Sequence, residues 1–357
     1  MSIGNAENAP HIGVLPRGLL GTIADVHGVT VGHCTLDEGP VQTGVTVIRP
    51  HRGDPFRDKV PAAVSVINGF GKSIGLVQVE ELGVLETPIA LTNTFGVAAL
   101  AQAQIRAAIK VNPRIGREWS TVNPLVFECN DGYLNDIQAL AVGEPHYNAA
   151  CAAASADVAG GSVGAGRGMS CFDLKGGIGN ASRVADISGR SYSVGALVLA
   201  NFGRLPMLTI DGVPLGRVLA ERVSQAAATA GKPEQGSIIM IVATDAPLDS
   251  RQLKRLSLRA AAGLARTGSV YGHGSGDIAL AFSTAYTVPH DADIVALPPL
   301  LAHARLDPLF RACSDSVEQA IVDALWSATS VTGRDGHRRL SLHDTAADLA
   351  QLLKQSP

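Results

Sequence analysis

Most of this chain alternates short runs of β-forming residues with alanine-rich stretches at helical spacing, and that alternation limits the fold more than any other feature. Strands are read at 64–67, 88–91, 125–127, 192–200, 237–244 and 278–286, each an apolar or β-branched run with turn residues beside it. Helices are read at 96–110, 146–158, 214–230 and 253–266, with mostly helical sequence from 307 onward. Pro214 suits a first helical turn, where its missing N–H costs nothing, and Gly268 suits a helix stop. Glycine-dense or turn-rich loops are expected at 160–180, 231–236 and 272–277. Strands come in runs broken by pairs of helices, so the expectation is sheets covered by helices within one domain, either α/β or α+β.

The apolar material for such a core is present. Hydrophobic residues make up 46% of the 357 residues and charged ones 17%, against about 25% charged in an average chain. Glycine stands at 39 positions, and that density signals tight turns and close backbone approaches. Lys plus Arg number 29 against 32 Asp plus Glu, for a net charge of −3 with no basic block. That balance excludes the electrostatic footprint of a nucleic-acid partner. No apolar stretch reaches the roughly 18 residues of a membrane helix, and residues 1–21 lack a basic segment ahead of an apolar run. Cys34, Cys129, Cys151, Cys171 and Cys313 are odd in number and scattered, with no metal-binding spacing. A cytoplasmic protein with reduced thiols, no metal and no membrane partner is expected.

The glycine cluster at 160–168 is not a phosphate-binding loop, which needs GxxxxGK[ST]; Lys175 is followed by glycine. It is not a dinucleotide fingerprint either, because β-like sequence follows where a helix is required. The ten histidines form no HExxH, and no GxSxG elbow anchors a Ser-His-Asp triad. The pair Gly236-Ser237 says more, because it sits where a turn-rich loop meets an apolar strand. It is either an ordinary junction or a self-cleavage site. In the second reading Ser237 Oγ attacks the Gly236 carbonyl carbon, and an N→O acyl shift yields an ester that water hydrolyses. Ser237 then carries a free α-amine whose pKa, about 7.7–8.0, lets it serve as base for its own hydroxyl. On residue type alone, Asn201-Phe202-Gly203 and Asn130-Asp131-Gly132 are turns, Tyr133 is a half-buried aromatic, and Ser275-Gly276-Asp277 is a loop.

Ten segments in order carry a family resemblance. They are Ile23 to His33, Thr43 to Val47, Asn68-Gly69-Phe70-Gly71-Lys72, Leu91-Thr92-Asn93-Thr94 and Asp131 to Asp136, followed by Gly161 to Gly166, Lys175 to Gly179, Ala200 to Gly203, Gly236 to Ile239 and Gly274 to Asp277. Together they resemble the L-aminopeptidase/D-amino-acid esterases and β-peptidyl aminopeptidases, autoprocessing serine hydrolases of the DmpA type. The resemblance implies an α+β fold of αββα layers, like N-terminal-nucleophile hydrolases but differently connected. It implies one domain cut between Gly236 and Ser237 into residues 1–236 and 237–357. Ser237 becomes the nucleophile with its own amine as base. Ser275 hydrogen-bonds that amine or the nucleophile, and Asp277 orients Ser275 and holds the ammonium form. Asn201 donates to the oxyanion, Tyr133 donates nearby or lines the pocket, and Asp131 receives the substrate ammonium. No cofactor is implied. The expected substrates are short peptides, amides or esters with a free amine and a small first residue (glycine, alanine or β-alanine), and the expected assembly is a homotetramer. The rivals are a pantetheine-type amidase, an acyltransferase (whose family members favour threonine as nucleophile) and a non-catalytic nucleotide- or anion-binding protein.

Overall fold

The computed structural model describes residues 9–223 and 235–354. Its principal strands are β1 (Thr30–Leu36), β2 (Thr43–Arg49), β3 (Asp58–Gly69), β4 (Ile89–Asn93), β5 (Val126–Cys129), β6 (Gly177–Ile187), β7 (Arg190–Asn201), β8 (Gln235–Thr244) and β9 (Gly274–Ser283). The principal helices are α1 (Val97–Val111), α2 (Glu144–Ala152), α3 (Ser250–Ser257), α4 (Ala260–Arg266) and α5 (Asp307–Trp326). One sheet runs β1-β2-β4-β5. The larger runs β3-β9-β8-β7-β6, with short strands Val84–Leu85 and Val288–Pro289 on β3. Pairs β8–β9 and β4–β5 are parallel, and the other principal pairs antiparallel.

Side-chain alternation along the strands produces the layers. Ile238, Met240 and Val242 of β8 join Ala196 and Val198 of β7 and Ala279 and Ala281 of β9 against Val317, Ala320, Ile321 and Ala324 of α5. The intervening residues, Ile239 and Ile241 with Leu197, Leu199, Ile278 and Leu280, face Val31, Ile48, Leu91 and Phe127 of the small sheet. The other face of the small sheet, with Val45, Val47, Ala90 and Val126, packs on Leu100 and Ala103 of α1 and Tyr147 and Ala150 of α2. The result is an αββα sandwich. Both faces of the large sheet are covered, which is why 237–244 reads as a continuous apolar run rather than an alternating one. Full burial of each such aliphatic side chain contributes about 1.5–3 kcal/mol.

Several elements differ from their sequence reading. Strand β6 rises out of the glycine-dense stretch: a Cβ on Gly179 would lie 1.8 Å from the Ala320 carbonyl oxygen, so glycine there lets α5 rest on the strand backbone. The expected loop 272–277 is largely strand, because β9 begins at Gly274 and pairs with both β8 and β3. Helix 146–158 is the shorter α2; beyond it Ser155 exchanges backbone hydrogen bonds with Val31. Helix 253–266 divides into α3 and α4. Of 214–230, Leu215–Arg222 is helical, and residues 224–230, like loop positions 231–234, lie outside the described residues. Among the described residues, no helix is long and apolar enough to cross a membrane.

Candidate active site

Three adjacent strand ends assemble the site. Asn201 closes β7 opposite Ser237 near the start of β8, and Ser237 lies level with Gly276 near the start of β9. Ser237 is in phase with Ile239, so its side chain takes the inter-sheet face. It is 5% exposed. Its Oγ donates to the Gly236 carbonyl oxygen at 2.6 Å and accepts from the Gly276 N–H at 3.2 Å. The hydroxyl therefore rests against the carbonyl of the bond that would be cut. Gly236 has φ +130°, and a Cβ there would meet the Asn201 carbonyl oxygen at 2.0 Å, so no other residue fits without moving β7 from β8.

Ser275 and Asp277 are in phase with Ala279 and Ala281 and take the opposite, helix-facing side. The Ser275 hydroxyl donates to Asp277 Oδ1 at 2.6 Å, and both residues are buried. In the parallel register Ser275 lies beside Gly236 and Asp277 beside Ile238. The pair thus flanks the Gly236–Ser237 backbone rather than the Ser237 hydroxyl. Asn68 of β3 secures this strand end by donating through Nδ2 to the carbonyls of Ser275 and, at 3.0 Å, Gly272.

Two backbone groups fix the Asn201 amide. Its Oδ1 accepts from the Ser170 N–H at 2.8 Å, and its Nδ2 donates to the Asn130 carbonyl at 2.9 Å. Because one partner only donates and the other only accepts, the amide has one orientation. Arg339 donates to the Ser170 hydroxyl at 3.1 Å and lies 4.0 Å from the Tyr133 ring centre, while His337 stacks on that ring at 4.6 Å. The link from Tyr133 to Ser237 therefore runs through Arg339, Ser170 and Asn201 rather than through a direct hydrogen bond.

Asp131 is sealed within the fold. Its Oδ1 accepts from Asn135 Nδ2 at 3.0 Å, and Thr43 and Asn93, joined to each other by a hydrogen bond at 2.8 Å, lie nearby. Burial raises its pKa to about 6, with these polar neighbours opposing the rise.

Sequence reasoning missed Glu128 and the structural role of Lys175. Buried Glu128 accepts the Lys72 N–H at 2.7 Å on Oε1 and the Thr94 hydroxyl on Oε2. The Cβ position of Gly71 lies 3.6 Å from Glu128 Oε1 and 3.8 Å from Gly276 Cα, which puts this carboxylate near the glycine that hydrogen-bonds Ser237. A cavity of about 670 Å³ beside it is lined by Lys72, Ile74, Thr94, Phe95 and residues of α1. The available signal was a glutamate inside an otherwise apolar strand. Lys175 is wholly buried and donates to the carbonyls of Gly166, Met169 and Gly176 at 2.8, 2.9 and 2.7 Å. It pins the loop that carries Ser170, although burial drives its pKa well down.

Comparisons with known proteins agree over almost the whole length. The profile of peptidase family S58 matches residues 21–339. A β-peptidyl aminopeptidase of Sphingosinicella microcystinivorans is 40% identical over 358 aligned positions, covering 95% of this chain and 89% of the relative. A solved structure of a Pyrococcus horikoshii OT3 protein superposes with TM-score 0.91 at 45% identity over 99% of both chains. The L-aminopeptidase D-Ala-esterase/amidase of Ochrobactrum anthropi, described as a prototype of the serine aminopeptidases and a variant of the Ntn hydrolase fold, superposes with TM-score 0.88 at 34% identity over 97% of both chains.

Proposed function

Because this chain belongs to peptidase family S58 and is a serine-type aminopeptidase of the N-terminal-nucleophile kind, we propose that its nucleophile is Ser237, freed by self-cleavage after Gly236. The observation that carries this reading is the Ser237 hydroxyl, buried at a strand start and hydrogen-bonded to the Gly236 carbonyl oxygen at 2.6 Å. Oγ adds to that carbonyl carbon, its proton passes to the Ser237 nitrogen, the C–N bond to Ser237 breaks, and the amine leaves as the new N-terminus. Water then hydrolyses the ester, restoring the hydroxyl and giving Gly236 a carboxyl end.

In turnover the α-amine takes the proton from Oγ as Oγ attacks the first carbonyl of the substrate. Ser275 and Asp277 flank the backbone where that amine forms, and they hold its protonated state by charge-assisted hydrogen bonding. The amine passes the proton to the leaving group, and a water molecule hydrolyses the acyl-enzyme. Asn201 donates to the oxyanion from its fixed amide, and Tyr133 walls the site through Arg339 and Ser170. Substrate ammonium binds on the carboxylate side, where Glu128 lies beside Gly71, with Asp131 as the second carboxylate for it.

Peptides and amides are the substrate class. The β-peptidyl relatives support β-alanine among the released residues, with L-alanine, D-alanine and glycine as the other small candidates. We assign the processed units to a homotetramer, which sedimentation of the purified protein tests. The free thiols of all five cysteines fit a reducing, cytoplasmic setting.

The deciding experiment is the intact mass of purified protein beside Ser237→Ala. The expected result is two fragments, ending at Gly236 and beginning at Ser237, with the variant uncut. An uncut wild-type chain that still hydrolyses β-alanyl p-nitroanilide would overturn the proposal.

A further inference from the structure

A second cavity, of about 1400 Å³, lies along the edge strand β6, between the end of α5 and residues from the segments 9–22, 156–160 and 327–344. It is separate from the seryl site. Asn180 on its wall pairs with Leu197, and Leu197 with Ile241, four residues up β8 from Ser237. That is roughly 13 Å along the strand, with two strand spacings added across the sheet.

The lining holds polar groups that the described residues leave unsatisfied. Asn180 is 5% exposed, and among the described residues neither atom of its amide has a hydrogen-bond partner; Trp326 is 3% exposed, and its indole N–H has none among them either. Each such group costs about 1–3 kcal/mol when left dry, and native proteins satisfy them with water or ligand. Asp323, also on the wall, accepts the Asn180 backbone N–H at 2.8 Å and the Ser327 hydroxyl at 3.0 Å. Burial raises its pKa to about 6, with Arg17 opposing, so it is anionic at pH 7.5. Arg17 lines the same cavity. Arg183 spends its N–H groups on the Ile12 and Ser182 carbonyls and on Gln319. The lining therefore includes an anionic acceptor, an amide with both polarities, a neutral N–H donor and a cation.

We propose that this cavity is a second small-molecule site that takes a free amino acid as its zwitterion, with the ammonium on Asp323 and Asn180 Oδ1 and the carboxylate on the Trp326 N–H, Asn180 Nδ2 and Arg17. Free amino acids are what an aminopeptidase releases; the choice of ligand, though not the site itself, rests on that activity.

The chain has two tryptophans, Trp119 and Trp326, so in Trp119→Phe the emission reports this cavity alone. β-Alanine and L-alanine are titrated into that variant beside propionate and ethylamine, which carry one charge each. The proposal expects a saturable one-site change with the amino acids, at least about tenfold weaker with either single-charge compound. The same titration in Trp119→Phe with Asn180→Leu should weaken by about tenfold or more. No saturation by about 100 mM, or equal responses to all the compounds, would overturn it and leave a water-filled cavity. The ligand comparison uses an intact cavity, so it decides even if Asn180→Leu does not fold. Hydrolysis of β-alanyl p-nitroanilide is measured on the same samples: active enzyme without an emission response sinks the site alone, whereas inactive enzyme counts against the catalytic reading.

Discussion

Replacing Asn201 by alanine separates two jobs that the structure gives one side chain. Its amide is tied to the Ser170 N–H and the Asn130 carbonyl, and in the proposed mechanism it also donates to the oxyanion. Removing one oxyanion donor costs about 2.7–4 kcal/mol in the transition state, or roughly 100- to 1000-fold in kcat. Removing the two structural bonds leaves two mostly buried backbone groups unsatisfied, at about 1–3 kcal/mol each before water enters the gap. A stability loss of about 2–4 kcal/mol follows. For 357 residues the unfolding entropy is about 0.75 kcal/mol per kelvin, so Tm should fall by about 3–5 °C. The assay is kcat and KM for β-alanyl p-nitroanilide at 25 °C, far below unfolding, divided by the fraction of chain cut in the same sample. The catalytic loss should sit in kcat, with KM changed little. If Asn201→Ala keeps kcat within about threefold while Tm falls as worked out, the side chain is a clamp and the oxyanion reading is wrong.

Gly236→Ala forces a Cβ to 2.0 Å from the Asn201 carbonyl oxygen at φ +130°. The expected result is an uncut chain with lowered Tm, and complete cutting at unchanged Tm would contradict it. Glu128→Gln should raise KM for substrates with a free amine by about tenfold or more, since a charge-assisted hydrogen bond is lost; an equal rise for an N-acetylated ester would show damage unrelated to ammonium binding. The pKa of Asp323 is raised to about 6 by burial, so the folded state holds its proton longer than the unfolded chain. This group therefore costs stability as pH rises from about 4 to 6, by at most about 3 kcal/mol. Asp323→Asn should gain up to about 4 °C in Tm over wild type at pH 7.5 and lose that gain at pH 4. A difference that does not change with pH refutes the assignment.

What could be read from residues alone follows from where local pattern and tertiary environment agree. Strands β7 and β8 are legible because burial on both faces demands the continuous apolar runs that they carry, and α1 because its alanine-rich sequence favours helix by itself. The junction at Gly236-Ser237 is visible for the same reason, since polar turn residues give way at once to core. Strand β6 is not legible. Its glycines have poor strand propensity, and their reason lies on another element, the α5 backbone that a side chain at 179 would strike. Ser275 to Asp277 reads as loop because Gly-Ser-Gly has no local call for extended structure; two neighbouring ladders supply it. Glu128 escaped because the Lys72 N–H and the Thr94 hydroxyl that hold it are more than thirty residues away. The αββα layering entered through the family resemblance, whereas residue pattern alone reached sheets covered by helices, α/β or α+β, and the residue types available for chemistry. The tertiary structure alone decided which of them meet, because Asn201, Ser237 and Gly276 become neighbours only through the register of three strands, and strand phase sends Ser237 to one face and Ser275 and Asp277 to the other.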